Sequence, residues 1–202
     1  MRTAGIILYF FGLAFSEALR LPHRIAHAGS SVQWHKGKGV SRVSEFVVLM
    51  GLGLGLWTFP GIYAFTKLLD FQNYSVPDSI AWITMAVFVI GLVMRWYAHS
   101  TLAGLWAGTL ELSEGHKLIT TGIFGYVRHP IYTSLILWAI CQPILLPNTV
   151  AGLSGAVGVL FLWLVRVPRE ESMMLAEFGD DYRQYASGTG RFFPRFPQKK
   201  AS

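Results

Sequence analysis

Five apolar stretches, each close to the length that crosses a bilayer, restrict this chain to few folds: residues 4–19, 46–65, 80–98, 131–146 and 149–165. A hydrocarbon core about 30 Å thick is crossed by roughly 20 helical residues. Inside it the backbone has no water to bond, so it must satisfy itself. The run 46–65 carries no charge, and 4–19 is interrupted only by Glu17. Arg95 closes the third run and is expected to snorkel to the interface. Only Pro147 and Asn148 separate the last two runs, which suggests a tight helical hairpin. Charged residues make up 14% of the chain, against about 25% in soluble domains. The expectation is an all-α integral membrane protein of about five transmembrane helices.

The positive charge has a pattern. Arg20, Arg24, Lys36, Lys38 and Arg42 face one acid, Glu45, between the first two runs. Arg166, Arg169, Arg183, Arg191, Arg195, Lys199 and Lys200 follow the fifth. Nearly all of it is cytoplasmic if the amino terminus lies outside and the carboxyl terminus inside, which requires an odd number of spans. The net charge of +6 is then topological and implies no nucleic acid. The first run reads as a retained helix, because no small-x-small cleavage site follows it. Cys141 stands alone, so no disulfide forms within the chain. His23 and His27 could share a helical face, but no third ligand is near, and no metal is expected. Gly51, Gly53 and Gly55, with Ala151, Gly155 and Gly158, read as close helix packing rather than a nucleotide loop. Nothing specifies an oligomeric state.

Chemistry concentrates where polar residues abut these runs, since charge beside a span usually marks a site. Gly115-His116-Lys117-Leu118-Ile119 leads through Gly122 and Phe124 to Arg128-His129-Pro130-Ile131-Tyr132. Such a glycine-rich segment, 99–130, folds against the membrane face, where backbone can approach a ligand closely. Pro130 suits a first helical turn, where its missing N–H costs nothing. The positive helix end beside Arg128 would suit a carboxylate or phosphate; the plainer alternative is an interfacial helix start with a snorkelling arginine. Arg166 and Glu170 are four apart and share a helical face, either as an ion pair or as the two halves of a divided site. A helix from about Pro168 would present Leu175, Phe178, Tyr182 and Tyr185 as a stripe lying on the membrane face, compatible with capping the site.

The ordered series from Gly115 to Ile119, Gly122-Ile123, Arg128-His129-Pro130, Tyr132, Arg166, Glu170-Glu171, Phe178-Gly179, Tyr182 and Tyr185 resembles the isoprenylcysteine carboxyl methyltransferase family. The same carboxy-terminal pattern is shared with a wider set of integral-membrane methyltransferases, including phospholipid N-methyltransferases. The resemblance covers residues 99–197, so the chain divides into 1–98, three helices with a basic cytoplasmic loop, and 99–202, a methyltransferase core. It implies S-adenosylmethionine as cofactor, held without a Rossmann domain in a cytoplasmic pocket. Carried over, His116, Lys117, Leu118, Ile119, Phe124, His129, Pro130, Tyr132 and Glu170 would line that pocket. The family often has tyrosine where this chain has Phe124, whose ring could then only pack. Arg166 matches the catalytic, substrate-binding arginine, with Arg128 as a second candidate for the acceptor carboxylate. The implied acceptor is a carboxy-terminal prenylcysteine or a similar lipidic group drawn from the bilayer.

A carboxylate is already ionised at neutral pH, so its methylation needs aim and desolvation rather than a strong base. A phospholipid amine or small thiol is the alternative acceptor; an amine needs a proton acceptor, for which His129, Glu170 or Glu171 could serve. A membrane scaffold or small transporter is the non-enzymatic alternative. Transporters keep ionisable groups near mid-membrane, whereas here they cluster at the cytoplasmic ends.

Overall fold

The computed structural model describes residues 2–28, 34–36, 42–102, 111–113 and 117–195. Helix α1 (Arg2–Ala28) precedes α2 (Arg42–Gly53), a π-helical turn (Leu54–Thr58) and α3 (Phe59–Phe65). Helices α4 (Asp78–Leu102), α5 (Pro130–Leu145) and α6 (Thr149–Gly188) follow. Two three-residue strands, β1 (Trp34–Lys36) and β2 (Glu111–Ser113), pair antiparallel and are the exception to a helical fold.

Among the described residues, four stretches are long and apolar enough to cross a membrane: Arg2–Pro22, Val43–Phe65, Asp78–Leu102 and the apolar part of α6. The fourth expected span is α5, with 16 residues, or about 24 Å of helix. It is the central element rather than a peripheral one, burying Leu135, Trp138, Ala139, Cys141, Gln142 and Leu145. Tyr9 of α1, Phe88 of α4 and Trp138 of α5 meet as one aromatic cluster, Phe88 and Trp138 edge to face at 4.7 Å. Geometry of that kind adds about 0.5–1.5 kcal/mol per pair beyond area burial.

The expected hairpin is present. Leu146 and Pro147 end α5, and the Asn148 side chain caps α6 by accepting from Val150 and Ala151 N–H. Its amide donates onward to the Leu69 carbonyl at 2.6 Å and the Asn73 side chain at 2.9 Å. One asparagine therefore closes the hairpin and ties it to the loop before α4.

Arg95 does not snorkel. Its side chain is 1% exposed, turned inward to donate to Ser134 Oγ of α5 at 3.3 Å. It lies one turn beyond buried Leu92, on the face of α4 that packs against the bundle. The tail helix also differs from expectation. Pro168 is exposed and sits inside an unbroken helix, and the break comes at Gly179, whose φ of +53° favours glycine.

The three glycines of α2 and its π-turn behave differently. A Cβ on Gly55 would lie 2.4 Å from the Ser154 carbonyl oxygen, while one on Gly53 meets nothing within 4 Å. Gly51 is approached from the other side, by Gly158, whose Cβ would lie 3.0 Å from the Gly51 carbonyl. Close packing thus explains Gly55 and Gly158, whereas a Cβ on Gly51 would make only an ordinary contact with Phe161 at 3.6 Å and Gly53 is open. Gly55→Ala is expected to lower stability by about 1–3 kcal/mol through overpacking, with Gly53→Ala near neutral; thermal unfolding of the solubilised protein compares them directly.

Candidate active site

A polar cluster forms where the amino end of α5 meets α6 just beyond its apolar half. Arg128 and His129 lead into α5, and Pro130 occupies its first turn as expected. Past Gly188 the chain doubles back, and residues 189–193 lie along this helix start. Val127 bridges Gly190 in parallel register. The Arg128 N–H donates to the Gly190 carbonyl at 2.8 Å and the His129 N–H to that of Arg191 at 3.1 Å. Thr133 Oγ1 donates to the Phe192 carbonyl at 2.8 Å. The Phe192 ring sits against His129 and, edge to face at 5.5 Å, against Trp163. The N–H groups of residues 128 and 129 therefore serve the chain's own tail.

Glu171 is the hub of the cluster. One of its oxygens lies 3.1 Å from His129 Nε2 and accepts from Arg191 Nε at 3.0 Å; Arg191 Nη2 donates to the other. Arg128 reaches it through Nε and Nη2 at 3.4 Å. Arg128 Nη1 donates to the carbonyls of Ala186, at 2.7 Å, and Thr189, so a cation closes the carbonyl end of α6, where the helix dipole favours it. Burial alone would raise the Glu171 carboxyl, but the hydrogen bonds and charges of His129 and Arg191 outweigh it and hold it at about 2.

Glu170 turns elsewhere. Its Oε2 accepts from the Tyr132 hydroxyl at 2.7 Å. Arg166 and, from α2, Glu45 act electrostatically on the same hydroxyl. Its other oxygen, Oε1, takes no hydrogen bond from any described residue, leaving a half-buried acceptor open beside a phenol and a guanidinium. Phe124 is 8% exposed and contributes its carbonyl, which accepts from Tyr185 OH at 2.7 Å. Lys117 is exposed, and Leu118 and Ile119 are half-buried, in the extended segment just before. His116 and the side chains of His23 and His27 lie outside the described residues. An apolar groove of about 210 Å³ between α1 and α4, lined by Leu8, Phe11, Phe15, Leu92 and Trp96 among others, takes no residue of this cluster.

The sequence reading brought Arg128, His129, Pro130, Tyr132, Arg166 and Glu170 to one neighbourhood. It left the hub role of Glu171 and the clamp formed by Arg191 unread, and placed buried Arg95 at the interface instead. The clue available for Glu171 was its place beside Glu170, since neighbouring helical residues point about 100° apart and cannot both face one ligand.

Folding lowers the Glu171 carboxyl and so ties stability to pH. Its contribution to stability is fully present above its unfolded value near 4.5 and is lost as pH falls towards 2. Glu171→Gln should lower the melting temperature at neutral pH, and the difference from wild type should shrink steadily through that acid window. A difference independent of pH would contradict the assignment.

Residues 82–176 match the isoprenylcysteine carboxyl methyltransferase family. The human protein-S-isoprenylcysteine O-methyltransferase is 33% identical over 133 residues, covering 61% of this chain and 47% of that one. A probable protein-S-isoprenylcysteine O-methyltransferase from Oryza sativa is 30% identical over 126 residues, covering 60% and 64%. Among these relatives, an Arabidopsis thaliana protein-S-isoprenylcysteine O-methyltransferase B is covered over 56% of its length, so the chain spans only part of the relatives it matches. The solved structure of a eukaryotic intramembrane Ras methyltransferase, an isoprenylcysteine carboxyl methyltransferase, aligns with a TM-score of 0.51 at 23% identity. That alignment covers 77% of this chain and 54% of the other and shows a shared fold. Residues 82–176, just under half of the chain, are thus similar to the isoprenylcysteine carboxyl methyltransferase family.

Proposed function

We propose that this chain is an integral-membrane methyltransferase that uses S-adenosylmethionine to esterify the carboxylate of a carboxy-terminal prenylcysteine at the cytoplasmic face. The observation that carries the reading is the Tyr132–Glu170 pair with its open carboxylate oxygen, set beside Arg166 where the apolar half of α6 ends. A carboxylate of this kind suits ribose hydroxyls or an ammonium group, both of which the donor offers. Bound there, the donor supplies an electrophilic methyl on a sulfonium.

The chain's own part is positional. Tyr132 and His129 hold an edge-to-face contact at 5.5 Å, and buried Phe124 adds apolar surface. Arg166 is the cation for the acceptor carboxylate, and it holds that group without giving it a proton. Arg95 is a second candidate. It is 1% exposed, and among the described residues its side chain makes one long bond, to Ser134, with no partner for Nε, a costly state that an incoming anion would relieve. The guanidinium of Arg128, engaged with Glu171 and two carbonyls, belongs in this reading to the wall rather than to the substrate. The names of the relatives support the prenylcysteine acceptor, and the distribution of basic residues supports the cytoplasmic face.

Calorimetric titration with S-adenosylhomocysteine, the demethylated donor, tests the site. Wild type is expected to bind saturably, and Glu170→Ala to weaken binding about tenfold or more, which corresponds to at least about 1.4 kcal/mol. Absence of binding by folded wild-type protein would refute the reading.

A further inference from the structure

We infer that Glu171 and Arg191 are positioning residues that clasp the tail segment 189–193 onto the first turn of α5, coupling the docking of that segment to binding of the methyl donor. The inference rests on the reading of Tyr132 and Glu170 as part of the donor site.

Two adjacent glutamates divide the labour. Glu170 points to Tyr132, whereas Glu171 gathers His129, Arg128 and Arg191. His129 and Tyr132 belong to the same helical turn and touch through their rings. Every main-chain bond of the tail segment also falls at that turn or just before it: Gly190 to Tyr126 and Arg128, and Arg191 to His129, with Thr133 reaching Phe192. A ligand that orders the turn therefore orders the surface the tail needs, and a docked tail orders the turn for the ligand.

The tail is also built to be separable. Residues 180–188 follow the break at Gly179 and are held by buried Tyr182, by Tyr185 OH on the Phe124 carbonyl and by Arg128 on the Ala186 carbonyl, so the separable part begins past them, at 189. The tail's remaining attachments are the Thr189 carbonyl, which accepts from Arg128; Phe192, buried against Trp163; and Arg191, whose side chain is 44% exposed and gripped through Glu171. Arg191 is thus the outer pin of the clasp. Coupling between two such events is reciprocal, each changing the other's equilibrium by the same factor, typically between about 5 and 150.

The test uses the full chain in nanodiscs. Hydrogen exchange is followed at the Arg128, His129 and Gly190 amides with and without S-adenosylhomocysteine, beside calorimetric affinity, for wild type, Arg191→Met and Arg191→Lys. The ligand is expected to slow exchange at these amides roughly tenfold in wild type. Arg191→Met should speed their exchange in the free protein and weaken the ligand by a matching factor, with Arg191→Lys intermediate and α4 exchange unchanged in both variants. Fast exchange in Arg191→Met with unaltered affinity would overturn the coupling, and unaltered exchange would overturn the clasp. Failure of wild type to bind at all would instead remove the donor-site reading beneath it, and the coupling with it.

Discussion

Hydrocarbon offers the backbone no hydrogen bonds, so each carbonyl or N–H released by a break in a helix must find its partner inside the bundle. Much of this structure follows from that demand. The π-turn between α2 and α3 frees carbonyls that Gln142, Ser154 and Tyr9 supply with donors: Gly55 receives Gln142 at 3.0 Å and Ser154 at 2.9 Å, and Leu56 receives Tyr9 at 2.8 Å. The hairpin between α5 and α6 is closed the same way by Asn148. These polar ties are few, and each joins two or three helices, so they fix the arrangement that apolar packing alone leaves adjustable.

The same demand shapes the functional end. The N–H groups of residues 128 and 129, just before α5, are answered by the tail segment, and the Ala186 and Thr189 carbonyls at the end of α6 by Arg128. Only after those obligations are met does the cluster have groups left for chemistry. Glu170 keeps one oxygen open, while Glu171, one residue on, has its carboxylate fully engaged. A methyl transfer to a carboxylate asks little of a base and much of alignment, and a site with one open acceptor, one half-buried arginine and a rigid wall suits that task.

The helices were legible in the sequence because apolar length is a local property: the runs that predict α1, α4 and α6 need no partner to be recognised. The hairpin was legible from Pro147 and Asn148 for the same reason. Arg95 was misread because snorkelling and burial share one sequence signal, an arginine near the end of a span, and only its face relative to α5 separates them. Pro168 was read as a helix start, yet its ring lies on the exposed side of α6, where the lost hydrogen bond can be answered by solvent, whereas Gly179 supplies the backbone angle that breaks the rod. The tail contacts were least legible. Val127 meets Gly190 and Arg128 meets Thr189, about sixty positions apart, and no periodicity within either segment signals the other.

The most direct test of the account is a single-turnover transfer from S-adenosylmethionine labelled in its methyl group, with the protein in liposomes and a farnesylated cysteine as acceptor. A methyl ester releases its label as volatile methanol in alkali, whereas a methylated amine or thiol does not. The account predicts alkali-volatile label that depends on Arg166 and Glu170. Label that stays in the lipid fraction after alkali would move the acceptor to an amine or thiol, and no transfer by protein that binds the donor would contradict the assigned chemistry.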